Sequence, residues 1–365
     1  MRKFSIAIPM FSVKHHGGTR VLLQLANSLV ERGHSVTILT PEDKYAPIYS
    51  VNKRIKIKFT SKIGNNKFFY LKTLLEFIFK IPKSDFILAN FFPTLYPSFL
   101  AEKLGKGKTI YFPQGMEETS PNYKGLINLL LSSTEKSTFK IKAPIIATTK
   151  WGARKLLNFN RNIDLRIINL GLPDNTFFPD PDPKFINMKI NKAILYFPRS
   201  QKVKGLEDFL QALDILIKKN IKFELWLISK ETQSLSKFNH LKSSLKIGVL
   251  FPLNDQDLRR IYSSTDLLVN SSWVEGFCLP VLEAMACGTP SILTDSGGPR
   301  EYAKNNYNCL MVPPKKPDLL AQAIKKMLED EELRNKLAVN ALKTGEKFKF
   351  SKFVEEFEKF LINLK

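Results

Sequence analysis

The 365-residue chain is short of cysteine, of long apolar runs and, over its first half, of acid, and each shortage excludes something. Its three cysteines, Cys278, Cys287 and Cys309, are an odd number with neither a metal-ligand nor a disulfide-scaffold spacing. A disulfide-stapled secreted domain is therefore out, and a reducing, cytoplasmic compartment is the expectation. No stretch reaches the roughly 18 to 20 apolar residues of a spanning helix. The longest uncharged candidate, FILANFFPTLYPSFLA at 86–101, is short and broken by Pro93 and Pro97. The opening MRKFSIAIPMFSV has the basic lead and apolar run of a signal peptide but no small-residue cleavage site, and it reads as a first buried strand.

Acid is scarce where base is plentiful. The formal charge is +22, and residues 1–172 hold 27 Lys and Arg against 10 Asp and Glu, whereas the remainder holds 29 against 24. The excess concentrates in VNKRIKIKFTSKIGNNKFFYLKTLLEFIFKIPK, 51–83, where lysines alternate with large apolar residues. Such a surface attracts anions: phospholipid headgroups, a phosphorylated acceptor or nucleic acid. The plainer alternative is a solubilising surface. Apolar residues at 44% and charged ones at 25% are ordinary for a folded chain, and the length favours two domains.

Short apolar runs alternate with helical periods throughout. KFSIAIPM precedes the loop FSVKHHGGT and the helical RVLLQLANSLVERG, and the alternation continues to DLRIINLG. Near residue 172 the texture changes to LPDNTFFPDPDPKFINMKIN, a linker rich in Pro, Asp and Asn. A second series runs from AILYFPR to CLMVP. The pattern predicts an α/β chain of two Rossmann-like, doubly wound domains facing across a cleft, 1–172 and 173–345, with ligand at the carboxyl ends of the strands. Residues 346–365 form an amphipathic helix, with Phe353, Phe357, Phe360, Leu361 and Leu364 on one face, that docks back on a domain.

Three places carry candidate chemistry. In HHGGTR, Gly17 and Gly18 stand between a strand end and a helix start, where bare backbone can approach a phosphate or hydroxyl. A diglycine there also makes a plain tight turn, and it does not match G-x-G-x-x-G, so a dinucleotide-dependent dehydrogenase loses its principal support. In FPRSQKVKGLEDFLQAL, Arg199 and Lys204 flank a helix start, where two cations and the helix end suit a diphosphate. Two solvated basic residues are the alternative.

The third place, SSWVEGFCLPVLEAMACGTP, carries Glu275 and Glu283. Gly276 turns the chain, Pro280 occupies the first helical turn, and the backbone N–H groups of Phe277, Cys278 and Leu279 are left without helical acceptors. A glutamate in a first turn can merely complement the helix dipole, which accounts for Glu283 but not for Glu275. Two carboxylates beside N–H donors suit a polyhydroxy ligand.

HHGGTRVLLQLANSLVERGHSVTILT, INLGLPDNTFFP, FPRSQKVKGLEDFLQAL and EGFCLPVLEAMACGTPSILTDSGGPRE together resemble the GT-B-fold, family 4 retaining glycosyltransferases, over most of the chain. The resemblance implies that Glu275 holds hydroxyls of the donor sugar, Glu283 the ribose hydroxyls, and Arg199 with Lys204 the diphosphate. The Gly17 and Gly18 loop closes over phosphates and acceptor. It implies a nucleoside diphosphate sugar as donor, a glycan or lipid-linked sugar as acceptor, no cofactor and no metal; Asp180 and Asp182 in PDPDP read as a turn. A nucleotide-sugar epimerase of the same architecture is the alternative activity; a basic nucleic-acid-binding protein has no use for a diphosphate pocket with two glutamates.

Two departures stand out. The family usually has glycine where Cys278 stands, which predicts a backbone less free to turn toward the sugar. Gln114 stands where many members have histidine, and a glutamine can hydrogen-bond a hydroxyl but not carry a proton as imidazole does. Lysines 67, 72 and 80 beside Phe68, Phe69, Tyr70, Leu74, Phe77 and Phe79 further predict a peripheral enzyme lying on an anionic membrane face.

Overall fold

The computed structural model describes residues 2–13, 17–47, 49–63, 67–113 and 141–364. Gln114 lies outside the described residues, as do 14–16 ahead of Gly17.

The apolar runs become strands: β1 (Ser5–Pro9), β2 (Ser35–Pro41), β3 (Lys56–Thr60), β4 (Phe86–Ala89), β5 (Lys108–Tyr111), β6 (Ile145–Ala147) and β7 (Leu165–Ile167). They form one sheet in the order β3-β2-β1-β4-β5-β6-β7. A second sheet contains β8 (Ala193–Tyr196), β9 (Glu224–Ile228), β10 (Ile247–Leu250), β11 (Leu267–Asn270), β12 (Ser291–Thr294) and β13 (Leu310–Val312), in the order β10-β9-β8-β11-β12-β13. Every strand pairing among the described residues is parallel. The sequence reason is visible in AILY of β8 and SILT of β12, buried at every position, because a parallel sheet is covered on both faces and cannot alternate polar with apolar.

The described residues fall into two compact units. One comprises those through Asn169 and those from Val354 on; the other is Leu170–Phe353. In the second, the helix Leu206–Lys218 places Phe209, Leu213 and Leu216 in the core without exposure, and the helix Pro317–Glu329 adds Ile324 and Met327. Each such side chain contributes about 1.5–3 kcal/mol relative to leaving it in water.

The terminal helix, Phe350–Asn363, buries Phe353, Val354, Phe357, Phe360 and Leu361 as its periodicity predicts. The margin of that face hides an acid that periodicity does not predict. Glu358 is 5% exposed, accepts from Arg32 Nη1 at 2.7 Å and lies 2.8 Å from His34 Nε2. The Phe4 N–H donates to His34 Nδ1 at 3.1 Å, which fixes the imidazole as the tautomer that donates from Nε2 to the carboxylate. The last residues of the chain are thereby tied to β1 and to the turn before β2.

The helix Lys67–Lys80 corrects part of the membrane-face expectation. Phe77 is fully buried against Phe11, with ring centroids 5.2 Å apart, and Leu74 is half-buried. The apolar side chains in solvent are Tyr70, Leu71, Leu75 and Phe79, the last 69% exposed. Lys72 and Lys80 flank them, while the side chains of Lys67, Phe68 and Phe69 are not described.

Candidate functional site

In the second sheet the chain runs outward from β8 through β9 to β10, then returns to place β11 on the other side of β8. The loops that follow β8 and β11 therefore diverge at the carboxyl ends of two neighbouring strands, where an open parallel sheet leaves room for a ligand. FPRSQKVKG leaves β8 and SSWVEGFC leaves β11, so the fold brings together two of the three candidate stretches.

The two loops are stitched to each other. Gly205 has φ +66°, and a Cβ there would lie 1.9 Å from the Ser271 carbonyl oxygen, so glycine alone permits the approach. Ser271 Oγ donates to the Gly205 carbonyl at 2.8 Å and lies 2.9 Å from Tyr196 Oη, while the Trp273 N–H donates to Val203 O at 2.7 Å. This fixes Lys204, the last residue of the turn Lys202–Lys204, against the β11 loop.

Lys204 Nζ donates to Glu275 Oε1 at 2.9 Å, and Ser272 Oγ donates to the same oxygen at 2.7 Å. Glu275 is also held by its backbone, its N–H donating to Ser296 O and its carbonyl accepting from Gly298 N–H, both at 3.0 Å. Lys204 and Glu275 thus meet directly, although the resemblance implies separate ligand groups for them.

Arg199 is engaged elsewhere. Its Nη1 lies 3.5 Å from Glu231 Oε1, an acid just beyond β9 that sequence reasoning missed. Glu231 also accepts from Ser200 N–H at 2.9 Å and Ser234 Oγ at 2.7 Å. Burial alone raises this carboxyl, but the bonds from Ser234 and Ser200 and the charge of Arg199 outweigh it and hold the group below the ordinary carboxylate range. Glu231 so keeps both Arg199 and the start of the β8 loop in place. The signal was faint: an acid beside serines after an apolar run, in KETQS.

Gly276 and Phe277 carry the β11 loop into the helix Leu279–Ala286, with Pro280 in its first turn. Among the described residues, the N–H groups of Phe277, Cys278 and Leu279 have no hydrogen-bond partner. Cys278 has φ 64° and ψ 67°. The backbone there thus occupies the left-handed region that glycine favours, although the residue is cysteine. Burial, then the neighbouring Glu275 charge, push the Cys278 thiol well above its ordinary value, so it remains protonated.

Glu283 lies inside that helix and is 2% exposed. Tyr262 Oη donates to its Oε2 at 3.0 Å, and Tyr262 is itself fully buried. A dipole-complementing surface glutamate would not be enclosed in this way.

In the first unit, Gly17 and Gly18 begin the helix Gly17–Glu31, with Gly17 exposed. Among the described residues, no group of three or more His, Cys, Asp and Glu is placed to hold a metal ion. Asp180 receives Arg259 Nη2 at 2.7 Å, and Asp182 caps the short helix Pro183–Met188 by accepting from Lys184 N–H, so PDPDP is a helix start.

Comparison with known proteins agrees in both halves. The family model described as glycosyl transferases group 1 matches residues 180–344, and that of glycosyltransferase family 4 matches 15–175. Over 361 aligned residues, the chain is 27% identical to the N,N'-diacetylbacillosaminyl-diphospho-undecaprenol alpha-1,3-N-acetylgalactosaminyltransferase of Campylobacter jejuni, with 89% of this chain and 91% of that one covered. Among solved structures, sucrose-phosphate synthase from Thermosynechococcus elongatus has a TM-score of 0.84 at 20% identity, covering 100% of this chain and 99% of that one. An Anabaena protein solved in complex with UDP-glucose has a TM-score of 0.78 at 17% identity, covering 99% and 100%. With two parallel Rossmann-like units and one family match to each half, the chain belongs to the group 1, family 4 glycosyltransferases of the GT-B fold.

Proposed function

We propose that the protein transfers a sugar, with retention of configuration and without a metal, from a nucleoside diphosphate sugar to a lipid-linked or glycan acceptor. The observation that carries this reading is the Lys204–Glu275 contact of 2.9 Å at the carboxyl ends of β8 and β11. An ammonium has three hydrogens, so Lys204 can hold Glu275 and a diphosphate oxygen together. That couples the leaving group to the acid proposed to grip the sugar. Arg199 and the N–H groups of Phe277, Cys278 and Leu279 add fixed positive ends where charge develops on the leaving diphosphate. Gly276 permits the turn, and Glu283 takes the ribose hydroxyls.

The acceptor hydroxyl attacks the anomeric carbon from the face the diphosphate leaves, and a diphosphate oxygen takes its proton. Gly17 and Gly18, at the start of the helix Gly17–Glu31, are assigned to the acceptor. The C. jejuni relative is named for a diphospho-undecaprenol-linked sugar, which supports a lipid-linked substrate here and a role in cell-surface polysaccharide, glycolipid or glycoprotein assembly. Among the described residues no helix is long and apolar enough to cross a membrane. Leu71, Leu75 and Phe79 in solvent beside Lys72 and Lys80 support peripheral attachment at the cytoplasmic face.

The deciding experiment incubates the protein with a panel of nucleotide sugars, in EDTA and with Mg²⁺, and separates free nucleoside diphosphate from epimerised sugar by chromatography. Release of nucleoside diphosphate from one donor, undiminished by EDTA, is expected. An epimerised donor without release, or activity only with the divalent ion, would overturn the reading.

A further inference from the structure

Cys278 holds a conformation that glycine adopts freely and residues with a Cβ do not, φ 64° and ψ 67°. For an L-residue the left-handed penalty corresponds to about 5- to 30-fold in population. Such a residue persists only where its surroundings over-determine it. Two side chains do so here. Tyr302 Oη donates to the Cys278 carbonyl at 2.7 Å, and Asn270 Nδ2 donates to Cys278 Sγ at 3.4 Å. The thiol is thereby turned into the protein beside β11.

The Tyr302 phenol has little freedom to do anything else. The residue is 2% exposed, its ring centroid lies 5.4 Å from that of Phe277 and 5.9 Å from that of Phe348, and its own carbonyl accepts from Asn308 Nδ2 at 2.8 Å. The C=O and N–H of a trans peptide point in opposite directions. Anchoring the Cys278 carbonyl on Tyr302 therefore aims the Leu279 N–H away from Tyr302, and this N–H is the first unpaired donor of the helix Leu279–Ala286.

We propose that Tyr302 is a positioning residue of the loop that holds the donor sugar. Its hydroxyl locks Cys278 in the left-handed conformation, so that the Leu279 N–H and, through the same turn, Glu275 keep their orientation. The proposal rests on the reading of the Glu275 loop as the donor-sugar site. It makes a specific demand: the phenol oxygen matters when residue 278 is cysteine, and much less when it is glycine.

The test is a cycle of Tyr302→Phe, Cys278→Gly and the double variant. Hydrogen exchange is followed over residues 275–282, together with turnover of whichever donor the wild type accepts and the affinity for the free nucleoside diphosphate. Tyr302→Phe should speed exchange and lower kcat by about 5- to 30-fold in the Cys278 protein. In the Cys278→Gly protein the same change should have less than about a threefold effect, half a decade, or under 1 kcal/mol. Nucleoside diphosphate affinity should fall by clearly less than kcat, since the Leu279 N–H is assigned to charge that develops on the diphosphate in the transition state. Equal effects in both backgrounds would overturn the proposal, as would parallel loss of nucleotide affinity and kcat. The exchange cycle needs no substrate, so a wild type that turns over no nucleotide sugar refutes the donor reading while the exchange data still judge the clamp.

Discussion

Replacing Lys204 by alanine separates what the Lys204–Glu275 contact does for folding from what it does for catalysis. At 2.9 Å the pair attracts by about 6 kcal/mol at an effective dielectric of about 20, before desolvation is counted. Both side chains are largely out of solvent, 23% and 13% exposed, so desolvation offsets most of this. Glu275 keeps the Ser272 hydroxyl at 2.7 Å, and the expected loss of stability is about 1–3 kcal/mol. The catalytic loss is larger, because a preorganised donor on the leaving group disappears: about 2–4 kcal/mol, or roughly 30- to 1,000-fold in kcat/KM. Urea unfolding gives the first number and steady-state donor turnover the second. A variant that is destabilised as predicted yet retains turnover within about threefold would show that the ammonium serves only the fold, and the diphosphate assignment would fail.

The two glutamates should respond differently: Glu275→Gln lowers kcat more than it weakens donor binding, Glu283→Gln mainly weakens nucleotide binding, and equal small effects in calorimetry and kinetics would remove both roles. Glu76 gives a pH test. Burial raises its carboxyl, but bonds from Ser61 and Lys80 bring it from the ordinary 4.5 down to about 2, so its stabilisation is complete above the unfolded value and is lost as pH falls toward about 2. Wild type should therefore exceed Glu76→Gln in thermal stability at pH 7 and match it near about pH 2; a gap unchanged by acid would refute this. For the membrane, each exposed lysine near an anionic surface contributes about 1 kcal/mol, so vesicle binding should rise with anionic lipid, fall with salt, and drop by at least about tenfold in Lys72→Glu/Lys80→Glu. Indifference to lipid charge would leave the basic excess as surface composition.

Much of the fold was legible because parallel strands inside a sheet are buried on both faces and read as apolar runs: HSVTILT, DFILAN and AILYFPR became β2, β4 and β8. The helix KFFYLKTLLEFIFK was legible to the residue, yet its burial was not, since Phe77 and Phe79 differ only in which side of the helix meets Phe11. Glu358 shows the opposite failure. Its charge assigns it to the polar face, and only the return of the chain to His34 and Arg32 encloses this one acid at the margin of the apolar face. In the candidate site, the motif residues were visible because their chemistry is conspicuous. Their supports, Glu231, Tyr262 and Tyr302, were not, because each acts through a partner remote in sequence whose position only the sheet order determines. Between Val312 and Phe350 the helices Pro317–Glu329 and Glu331–Gly345 were not legible in the alternation of strands and helices.

The closing helix has a consequence for how the chain is made. Because Glu358 completes the contacts of His34 and Arg32, the unit that holds β1–β7 is completed only after Leu170–Phe353 has been made, and Leu170–Phe353 is in effect an insertion within it. The inserted unit emerges whole and can settle while the earlier one still lacks its final helix, with the apolar surface meant for Phe357 and Leu361 uncovered. The amino-terminal unit therefore stays unfinished during synthesis until the helix Phe350–Asn363 has emerged, and a truncation that removes this helix would leave it without its closing contacts.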